Sequence, residues 1–371
     1  MNFPVKTKKL GLGCMRLPHD ENKNVLITDF TEMVDAFMRE GFNYFDTAGI
    51  YFNGKSELAL KECLTSRYPR ESFILTDKLS EALFEKHEDI RPFFESQLQA
   101  CGVEYFDFYL MHAQRQNNYE KYKSCNAYET AFELKREGKI KHVGISFHDS
   151  AEFLDRILTE YPELEVVQLQ FNYLDYDDKT VQSRLCYEVC VKHNKPVIVM
   201  EPVRGGKLVQ MPDEAEALLD QNRKYSNAGY AIKFAASFDN IMTVLSGMSN
   251  MEQLNDNMSY MKDFIPLTDS EIETLFKVRD IMRGEKFIPC TACKYCTDGC
   301  PKNINIPRIF TCMNNLKIFK DKSSKTFYDR VTSKDGASKA SECIKCGKCE
   351  KSCPQGLKIR ELLDEAADLF E

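Results

Sequence analysis

Two short runs of cysteine near the C-terminal end constrain this chain more than any other feature. They read Cys290-x-x-Cys293-x-x-Cys296-x-x-x-Cys300-Pro301 and Cys343-x-x-Cys346-x-x-Cys349-x-x-x-Cys353-Pro354. The other seven of the 15 cysteines are scattered through the sequence, as is typical of small buried side chains. Because the total is odd and the first residues lack an apolar stretch of signal-peptide length, we expect no disulfide framework. Clustered cysteines in a reducing compartment instead indicate a metal site.

Each run has the spacing of bacterial ferredoxins, in which three cysteines hold one [4Fe–4S] cluster and the fourth, followed by proline, ligates the other cluster. This exchange of the fourth ligand predicts Cys290, Cys293, Cys296 and Cys353 for one cluster, and Cys343, Cys346, Cys349 and Cys300 for the other. The alternative is zinc, because paired Cys-x-x-Cys motifs also form zinc ribbons. Four cysteines per run at ferredoxin spacing favour two [4Fe–4S] clusters.

The segment between the runs is longer than in a compact small ferredoxin. It carries an apolar helical pattern over Ile306–Phe319, and a second helix is predicted over Ile359–Phe370. Residues 320–340 are rich in lysine and serine, and we expect a mobile loop there, with a docking surface as the alternative. Residues 284–371 are therefore predicted to form a mainly α-helical, two-cluster ferredoxin-like domain, similar to those of multi-subunit reductases.

Residues 1–283 alternate short apolar strand patterns with amphipathic helical patterns. The strands are predicted at Leu10–Met15, Asn43–Thr47, Phe73–Asp77, Phe106–Met111, His142–Ser146, Val166–Gln170, Val197–Met200 and Thr243–Gly247. Eight strands, each followed by a helix, specify an α/β fold in which a parallel sheet closes into a (β/α)8 barrel. Helical periodicity stops at the sequence RGEKFIP, which places the domain boundary near residue 283.

Four ionisable side chains come at or just after consecutive predicted strands. Asp46 ends the second strand, Tyr51 follows in its loop, Lys78 ends the third strand and His112 ends the fourth. In such a barrel these strand ends share the face on which active sites lie. These four are therefore the candidate catalytic residues, with buried ion pairing and a satisfied histidine as the structural alternative.

The run FDTAGIY at residues 45–51, followed by GKSE at residues 54–57, resembles the signature of the aldo/keto reductase family. Later motifs of that family are matched in the same order by YFDFYLMH at 105–112, GKI at 138–140, VGIS at 143–146 and QLQ at 168–170. The resemblance covers roughly residues 8–260. It implies a TIM-barrel oxidoreductase that reduces a carbonyl or oxidises an alcohol with a nicotinamide cofactor.

The resemblance also implies a role for each strand-end residue. Tyr51 is the general acid that protonates the carbonyl oxygen, and Lys78 lowers the pKa of the tyrosine by placing a positive charge beside the phenolate. Asp46 pairs with Lys78, and His112 orients the carbonyl and can relay the proton. The chemistry agrees, because a phenol with an ordinary pKa of about 10 is a poor acid at neutral pH unless its anion is stabilised.

The cofactor contacts implied by the resemblance match the family less completely. They are Ser146, Gln168, Met200, Arg204, Gly205, Gly206, Lys207, Gly247 and Asn257. Met200 stands where the family has an aromatic residue, and the loop of Gly247 and Asn257 lacks the lysine and arginine expected beside an adenosine phosphate. NADP, NAD or neither therefore stay open as cofactors. A flavin is a further open alternative, because barrels bind flavin without a short motif.

Charge and hydropathy narrow the partners. The net charge of −7 gives no support for nucleic-acid binding. The sequence contains no run of 18 apolar residues, so we predict no membrane span. We expect a cytoplasmic protein that binds a small carbonyl or alcohol substrate, with a redox partner protein as an open addition.

Two functions remain open from the sequence. The first is an oxidoreductase that also transfers electrons through its two clusters, which the four strand-end residues favour. The second is an electron-transfer or scaffold protein whose barrel no longer turns over nicotinamide and whose clusters serve docking or structure. The altered phosphate loop and Met200 favour the second. Nicotinamide moves two electrons as a hydride and a cluster moves one, so no direct step between them is sensible.

Overall fold

The computed structural model describes residues 3–179, 181–284, 287–288, 290, 295–333, 336–353 and 355–371. Cys293 and Pro354 of the two cysteine runs lie outside the described residues. The chain divides into two compact units. The first comprises the described residues up to 177, residues 181–209 and residues 223–272. The second comprises residues 178–179, residues 210–222 and the described residues from 273 onward.

Eight parallel strands form the centre of the first unit. They are β1 Leu10–Gly13, β2 Tyr44–Asp46, β3 Ile74–Leu79, β4 Phe106–Gln114, β5 Ile140–Phe147, β6 Val166–Gln170, β7 Val197–Met200 and β8 Ile241–Ser246. Each strand pairs with its neighbour in chain order, and β8 pairs with β1, so the sheet closes into a barrel. The predicted (β/α)8 barrel is confirmed, and the predicted strand ends differ from the observed ones by at most three residues.

Helices follow the strands along the chain up to residue 283. They are α1 Ile27–Arg39, α2 Lys55–Leu60, α3 His87–Cys101, α4 Gln116–Ser124, α5 Ala127–Arg136, α6 Ala151–Glu160, α7 Ser183–Lys192, α8 Asp213–Asp220, α9 Asn227–Ala236, α10 Met251–Met261 and α11 Asp269–Arg283. In α1 the apolar residues Phe30, Met33, Val34 and Phe37 recur at helical spacing, and all four are buried. This apolar stripe is what fixes the helix against the rest of its unit.

Side chains fill the interior of the barrel. Tyr44, Phe108, Ile198 and Met242 belong to one buried apolar cluster contributed by different strands, and the Tyr44 hydroxyl is hydrogen-bonded to Thr76 Oγ1 at 2.7 Å. A barrel of eight strands is a packed core rather than a pore, so ligands are bound at its mouth. The fold therefore directs attention to the carboxyl ends of the strands.

The second unit is mainly α-helical, as predicted. Its helices from residue 295 onward are α12 Tyr295–Asp298, α13 Ile306–Phe319, α14 Ser323–Thr332, α15 Lys348–Lys351 and α16 Ile359–Phe370. Helices α13 and α16 have the predicted bounds. Their buried faces share one core, in which Ile309, Phe310, Leu363 and Phe370 pack.

The expectation of a mobile loop in the lysine- and serine-rich segment is wrong for residues 323–332, which form α14. Tyr328 and Val331 lie three residues apart on this helix and are buried. The ring of Tyr328 stacks on Phe370 at a centroid distance of 4.9 Å, and its hydroxyl accepts a hydrogen bond from the Ala340 amide at 2.9 Å. Two apolar side chains at helical spacing thus anchor a segment whose composition is that of a loop. No helix among the described residues has the length and apolar character that crossing a membrane requires.

Candidate active site and cysteine pocket

Lys78 is the centre of the polar group at the barrel mouth. Its side chain is fully buried, and its ammonium donates hydrogen bonds to Asp46 Oδ1 at 2.6 Å and to the Thr47 carbonyl oxygen at 2.7 Å. Burial opposes the charged form of Lys78, but the Asp46 carboxylate, with contributions from Tyr51 and Asp77, outweighs burial and the pKa of the lysine is raised. Burial raises the pKa of Asp46, which Lys78 opposes. Lys78 therefore remains an ammonium ion at neutral pH.

Tyr51 lies beside this ammonium group. Lys78 Nζ is 5.1 Å from the centroid of the Tyr51 ring. Burial raises the pKa of the Tyr51 phenol above its ordinary value, and the charge of Lys78 acts in the opposite direction. The lysine thus lowers the pKa of the tyrosine as expected, but this effect is smaller than that of burial.

His112 completes the group. Its ring meets the Tyr51 ring edge-on, with centroids 6.0 Å apart, and its Nδ1 is hydrogen-bonded to Ser80 Oγ at 2.6 Å. Burial and the nearby Lys78 charge hold the pKa of His112 well below its usual value, so the imidazole is neutral at neutral pH. The structure thus brings the four predicted catalytic residues together.

Sequence reasoning missed Ser80, although a signal was present. Ser80 comes two residues after Lys78, and residues two apart along a strand lie on the same face. Because the hydroxyl occupies Nδ1, the Nε2 nitrogen of His112 is left to face a ligand. Ser80 therefore fixes the orientation of the imidazole.

Two predicted nicotinamide contacts also lie next to the catalytic group. Gln168 donates from Nε2 to Asp46 Oδ2 at 2.9 Å, so each carboxylate oxygen of Asp46 has its own partner. Ser146 Oγ accepts a hydrogen bond from the Ala113 amide at 3.3 Å. Both side chains are buried. Met200 ends β7 with a half-buried side chain.

The loop after β7 combines glycine amides with positive charge. Gly205 and Gly206 are exposed and have φ values of 68° and 93°, which favour glycine. A Cβ atom at Gly205 would lie 2.9 Å from Arg16 Nη2, so a larger residue would displace that guanidinium. Arg204 Nε donates to the buried Asp175 carboxylate at 3.1 Å, and Lys207 is half-buried in the same loop. Glycine amides and cations of this kind suit an anion such as a pyrophosphate.

The loop after β8 is occupied by its own hydrogen bonds. Gly247 follows the strand, and Asn250 caps α10 by accepting a hydrogen bond from the Gln253 amide at 2.9 Å. Asn257 is buried, donates from Nδ2 to Ser246 Oγ at 2.8 Å and accepts from the Tyr260 hydroxyl at Oδ1. In this arrangement both polar atoms of Asn257 have partners within the protein.

A pocket in the second unit is lined by one predicted set of cluster ligands. Cys300, Cys343, Cys346 and Cys349 all line this pocket. Apolar Ile304, Ile306 and Leu363 form part of the remaining wall, together with Lys302 and Lys348. Among the described residues, no histidine or carboxylate lines this pocket. Four thiols in one pocket suit a [4Fe–4S] cluster, whose ligands in ferredoxins are four thiolates.

The second predicted set is described only in part. Cys296 is buried in the core of the unit, and Cys290 and Cys353 pack against that core. Cys293 lies outside the described residues. Gly347, between two ligands of the first set, has a φ of 73°, a left-handed conformation for which glycine is preferred.

Comparisons with known proteins agree with both halves of this description. A model described as "Aldo/keto reductase family" matches residues 9–280, and a model described as "4Fe-4S dicluster domain" matches residues 289–357. The two matches follow one another along the chain without overlap.

Curated relatives and solved structures resemble the barrel. Uncharacterized oxidoreductase YqkF of Bacillus subtilis (strain 168) is 25% identical over 300 residues, which are 72% of this chain and 91% of that protein. The holo form of aldo-keto reductase AKR11C1 from Bacillus halodurans has a TM-score of 0.61 at 23% identity and covers 76% of this chain and 95% of its own. An aldo-keto reductase from Klebsiella pneumoniae, solved in complex with NADPH, has a TM-score of 0.60 at 18% identity and covers 74% and 95%.

Proposed function

Because the chain belongs to the aldo/keto reductase family over residues 9–280, we propose that its barrel reduces a small carbonyl compound, or oxidises the corresponding alcohol, with a nicotinamide dinucleotide. The observation that carries the proposal is the fully buried Lys78 ammonium, which Asp46 holds beside the Tyr51 phenol. A bound nicotinamide supplies the hydride. In this division of labour residues 1–283 form the catalytic barrel and residues 284–371 the cluster domain.

Tyr51 donates the proton to the carbonyl oxygen in the direction of reduction. Burial raises the pKa of its phenol, so the phenol keeps its proton across the neutral range. The fixed charge of Lys78 stabilises the phenolate that remains after transfer. Neutral His112, held through Nδ1 by Ser80, orients the carbonyl oxygen.

The residues that hold the dinucleotide are those of the strand ends and the two following loops. Ser146 and Gln168 are placed to bind the carboxamide, with Met200 packing on the nicotinamide ring. Arg204, Gly205, Gly206 and Lys207 bind the pyrophosphate through amides and cations, a role that the positive φ values of the glycines support. Gly247 and Asn257 lie toward the adenosine. Because this chain lacks the family's lysine and arginine beside the adenosine phosphate, NADH and NADPH are both candidates for the dinucleotide.

The cluster domain binds two [4Fe–4S] clusters in this proposal. Cys343, Cys346, Cys349 and Cys300 hold one of them, which their shared pocket supports. Cys290, Cys293, Cys296 and Cys353 hold the other. Bound clusters would supply one-electron transfer, so exchange with a hydride donor needs a group that separates the two electrons, such as a flavin or a substrate that stabilises a radical.

A second candidate function is an electron-transfer or scaffold protein whose barrel has lost nicotinamide turnover. The observation that favours it is the loop after β8, where Asn250 and Asn257 are engaged in hydrogen bonds of the protein itself. This candidate predicts intact clusters without measurable nicotinamide affinity.

Anaerobically purified protein separates the two candidates. NADPH and NADH are titrated in turn by calorimetry, and oxidation of the bound nucleotide is followed with a panel of short aldehydes and ketones. We expect Tyr51→Phe to lower kcat about 10²- to 10⁴-fold with unchanged nucleotide affinity, because only proton transfer is removed. Tyr68→Phe is the control, since Tyr68 donates its hydroxyl to Asp35 elsewhere on the barrel. Intact clusters with no affinity for either nucleotide would support the second candidate and reject the first.

A further inference from the structure

A second group of buried polar side chains lies behind Lys78, between β3 and the helices that pack on it. Strand residues alternate in direction, so Asp77 faces away from the side that Lys78 occupies. The group contains the two carboxyl groups of Glu57 and Asp77 together with three uncharged partners. Each member is at most 5% exposed: Glu57 on α2, Asp77 on β3, Gln97 and Cys101 on α3, and Tyr109 on β4.

The two carboxyl groups meet without a cation. Ligand atoms of Glu57, Asp77 and Cys101 all lie within 4.8 Å of one another. Among the described residues, no lysine, arginine or histidine forms an ion pair with either carboxyl group. Burial and mutual repulsion at this separation oppose the ionisation of both carboxyl groups, which favours one proton shared between them. Burial raises the pKa of both groups, in agreement with a retained proton.

The same group holds the backbone of Lys78 on both sides. The Lys78 amide donates to Asp77 Oδ1 at 2.7 Å, and Gln97 Nε2 donates to the Lys78 carbonyl oxygen at 3.2 Å. Gln97 Nε2 also donates hydrogen bonds to Asp77 Oδ1 at 2.9 Å and to Glu57 Oε1 at 3.1 Å. Gln97 Oε1 accepts from the Tyr109 hydroxyl at 2.6 Å. The side chain that joins the carboxyl pair therefore also fixes the position of Lys78.

We propose that Glu57 and Asp77 share one proton and act through Lys78 as positioning residues for proton transfer by Tyr51. The pair carries one negative charge, distributed over two carboxyl groups, directly behind the ammonium that faces the phenol. The shared proton is independent of any reaction, whereas its effect on turnover rests on the function proposed above.

The position of that negative charge predicts the direction in which the pKa of Tyr51 shifts in each variant. Glu57→Gln leaves the charge on Asp77, which neighbours Lys78 and acts on Tyr51. A nearer anion disfavours the phenolate, so the pKa of Tyr51 should rise. Asp77→Asn leaves the charge on Glu57, which lies on α2 and not beside Lys78 in the chain, so the pKa of Tyr51 should fall. Other titratable groups surround the carboxyl pair and Tyr51. Those near the pair are Lys78, Cys101, Tyr109 and Cys14, and those near Tyr51 and its neighbours are Asp46, His112 and His148.

The ionisation of Tyr51 can be followed without turnover. Ultraviolet absorbance of the phenolate is titrated in each variant and in the same variant carrying Tyr51→Phe, and the difference isolates this tyrosine. We expect shifts of about half a pH unit or more, upward for Glu57→Gln and downward for Asp77→Asn. The control Asp35→Asn, at a half-buried carboxylate paired with Arg67, should leave the difference titration of Tyr51 unchanged. Glu57→Gln and Asp77→Asn each keep the size of the side chain. The direction of the pKa shift in either variant alone is enough to test the positioning role. No shift, or a shift of the opposite sign, overturns the positioning role.

Infrared spectroscopy tests the shared proton directly. The carbonyl stretching band of a protonated carboxylic acid should be present in the full-length protein at neutral pH. It should disappear in the double variant Glu57→Gln/Asp77→Asn and persist in Asp35→Asn. Its absence from the unmodified protein would overturn the proposal even if the barrel reduces carbonyl compounds. Conversely, a protein that turns over no nicotinamide but shows the band and the signed shifts retains this inference and rejects the proposed reaction alone.

Discussion

The barrel and the cysteine-rich unit fill their interiors in different ways. Inside the barrel, aromatic and aliphatic side chains from different strands pack on one another, and the buried ions Lys78 and Asp46 are paired. In the cysteine-rich unit, the core of helices α13 and α16 includes Cys296 and Cys349, with further cysteines packed against it. The first interior is complete in protein atoms, whereas the second contains thiols whose expected partners are metal ions. We therefore expect the stability of the barrel to come from the chain itself and that of the cysteine-rich unit to depend on a bound cofactor.

The largest expected effect comes from removing one cluster ligand. Cys349→Ala should reduce iron from about eight atoms per chain to about four, because each [4Fe–4S] cluster requires its full set of thiolates. Loss of a metal group that is coupled to folding should also expose the helices of this unit to proteolysis while the barrel stays folded. Iron and sulfide analysis with limited proteolysis measures both outcomes.

A matched control is available in the same core. Cys312 is buried there but belongs to neither run, so Cys312→Ala should keep the iron content. The contrast between the units would break down if Cys349→Ala retained its iron, or if the purified chain contained zinc.

A smaller but still large effect is expected within the barrel. Lys78→Met leaves the Asp46 carboxylate buried without its cation, and breaking a buried pair in this way costs about 3–5 kcal/mol. Lys192→Met removes an exposed partner of Asp155, and such pairs contribute about 1 kcal/mol or less. Urea unfolding of the two variants, monitored by a spectroscopic signal from the barrel, compares their free energies of unfolding. Adding Asp46→Asn to Lys78→Met should recover part of the loss; a further loss would contradict the pairing.

Acid should destabilise the barrel through its histidines, because all six histidines precede residue 284. Burial lowers the pKa of His148 to about 4. Between this value and about pH 6.5, His148 is protonated in the unfolded chain but not in the folded chain. Stability from this group is present above pH 6.5 and is lost as the pH falls toward 4, by about 2 kcal/mol at pH 5. Unfolding at pH 7.5 and pH 5 measures the loss. His148→Gln should reduce it, and an equal loss in this variant would exclude His148 as the cause.

The sequence predicts some parts of this molecule better than others, for physical reasons. Strand and helix periods identify eight strands and helices α13 and α16, because apolar spacing follows directly from burial. The four candidate catalytic residues are predictable from their places at strand ends. The Glu57–Asp77 pair was not, because α2 and β3 meet only in the folded chain. Helix α14 was also missed, since its composition is polar and Tyr328 and Val331 are its only buried apolar side chains.

The smallest expected effect tests that missed helix. Tyr328→Phe keeps the ring that stacks on Phe370 but removes the hydroxyl, which accepts from the Ala340 amide and donates to Glu371. Loss of the hydroxyl leaves a buried amide without its partner, at a cost of about 1–3 kcal/mol at the site and about 1 kcal/mol net. The midpoint of thermal unfolding of the cluster-loaded unit should fall, while that of the barrel is unchanged. Lys325→Ala removes only a surface pair with Asp329 on the same helix and should change stability by less than about 0.5 kcal/mol. If both variants behaved alike, residues 323–332 would lack the anchoring that distinguishes α14 from the loop their composition suggests.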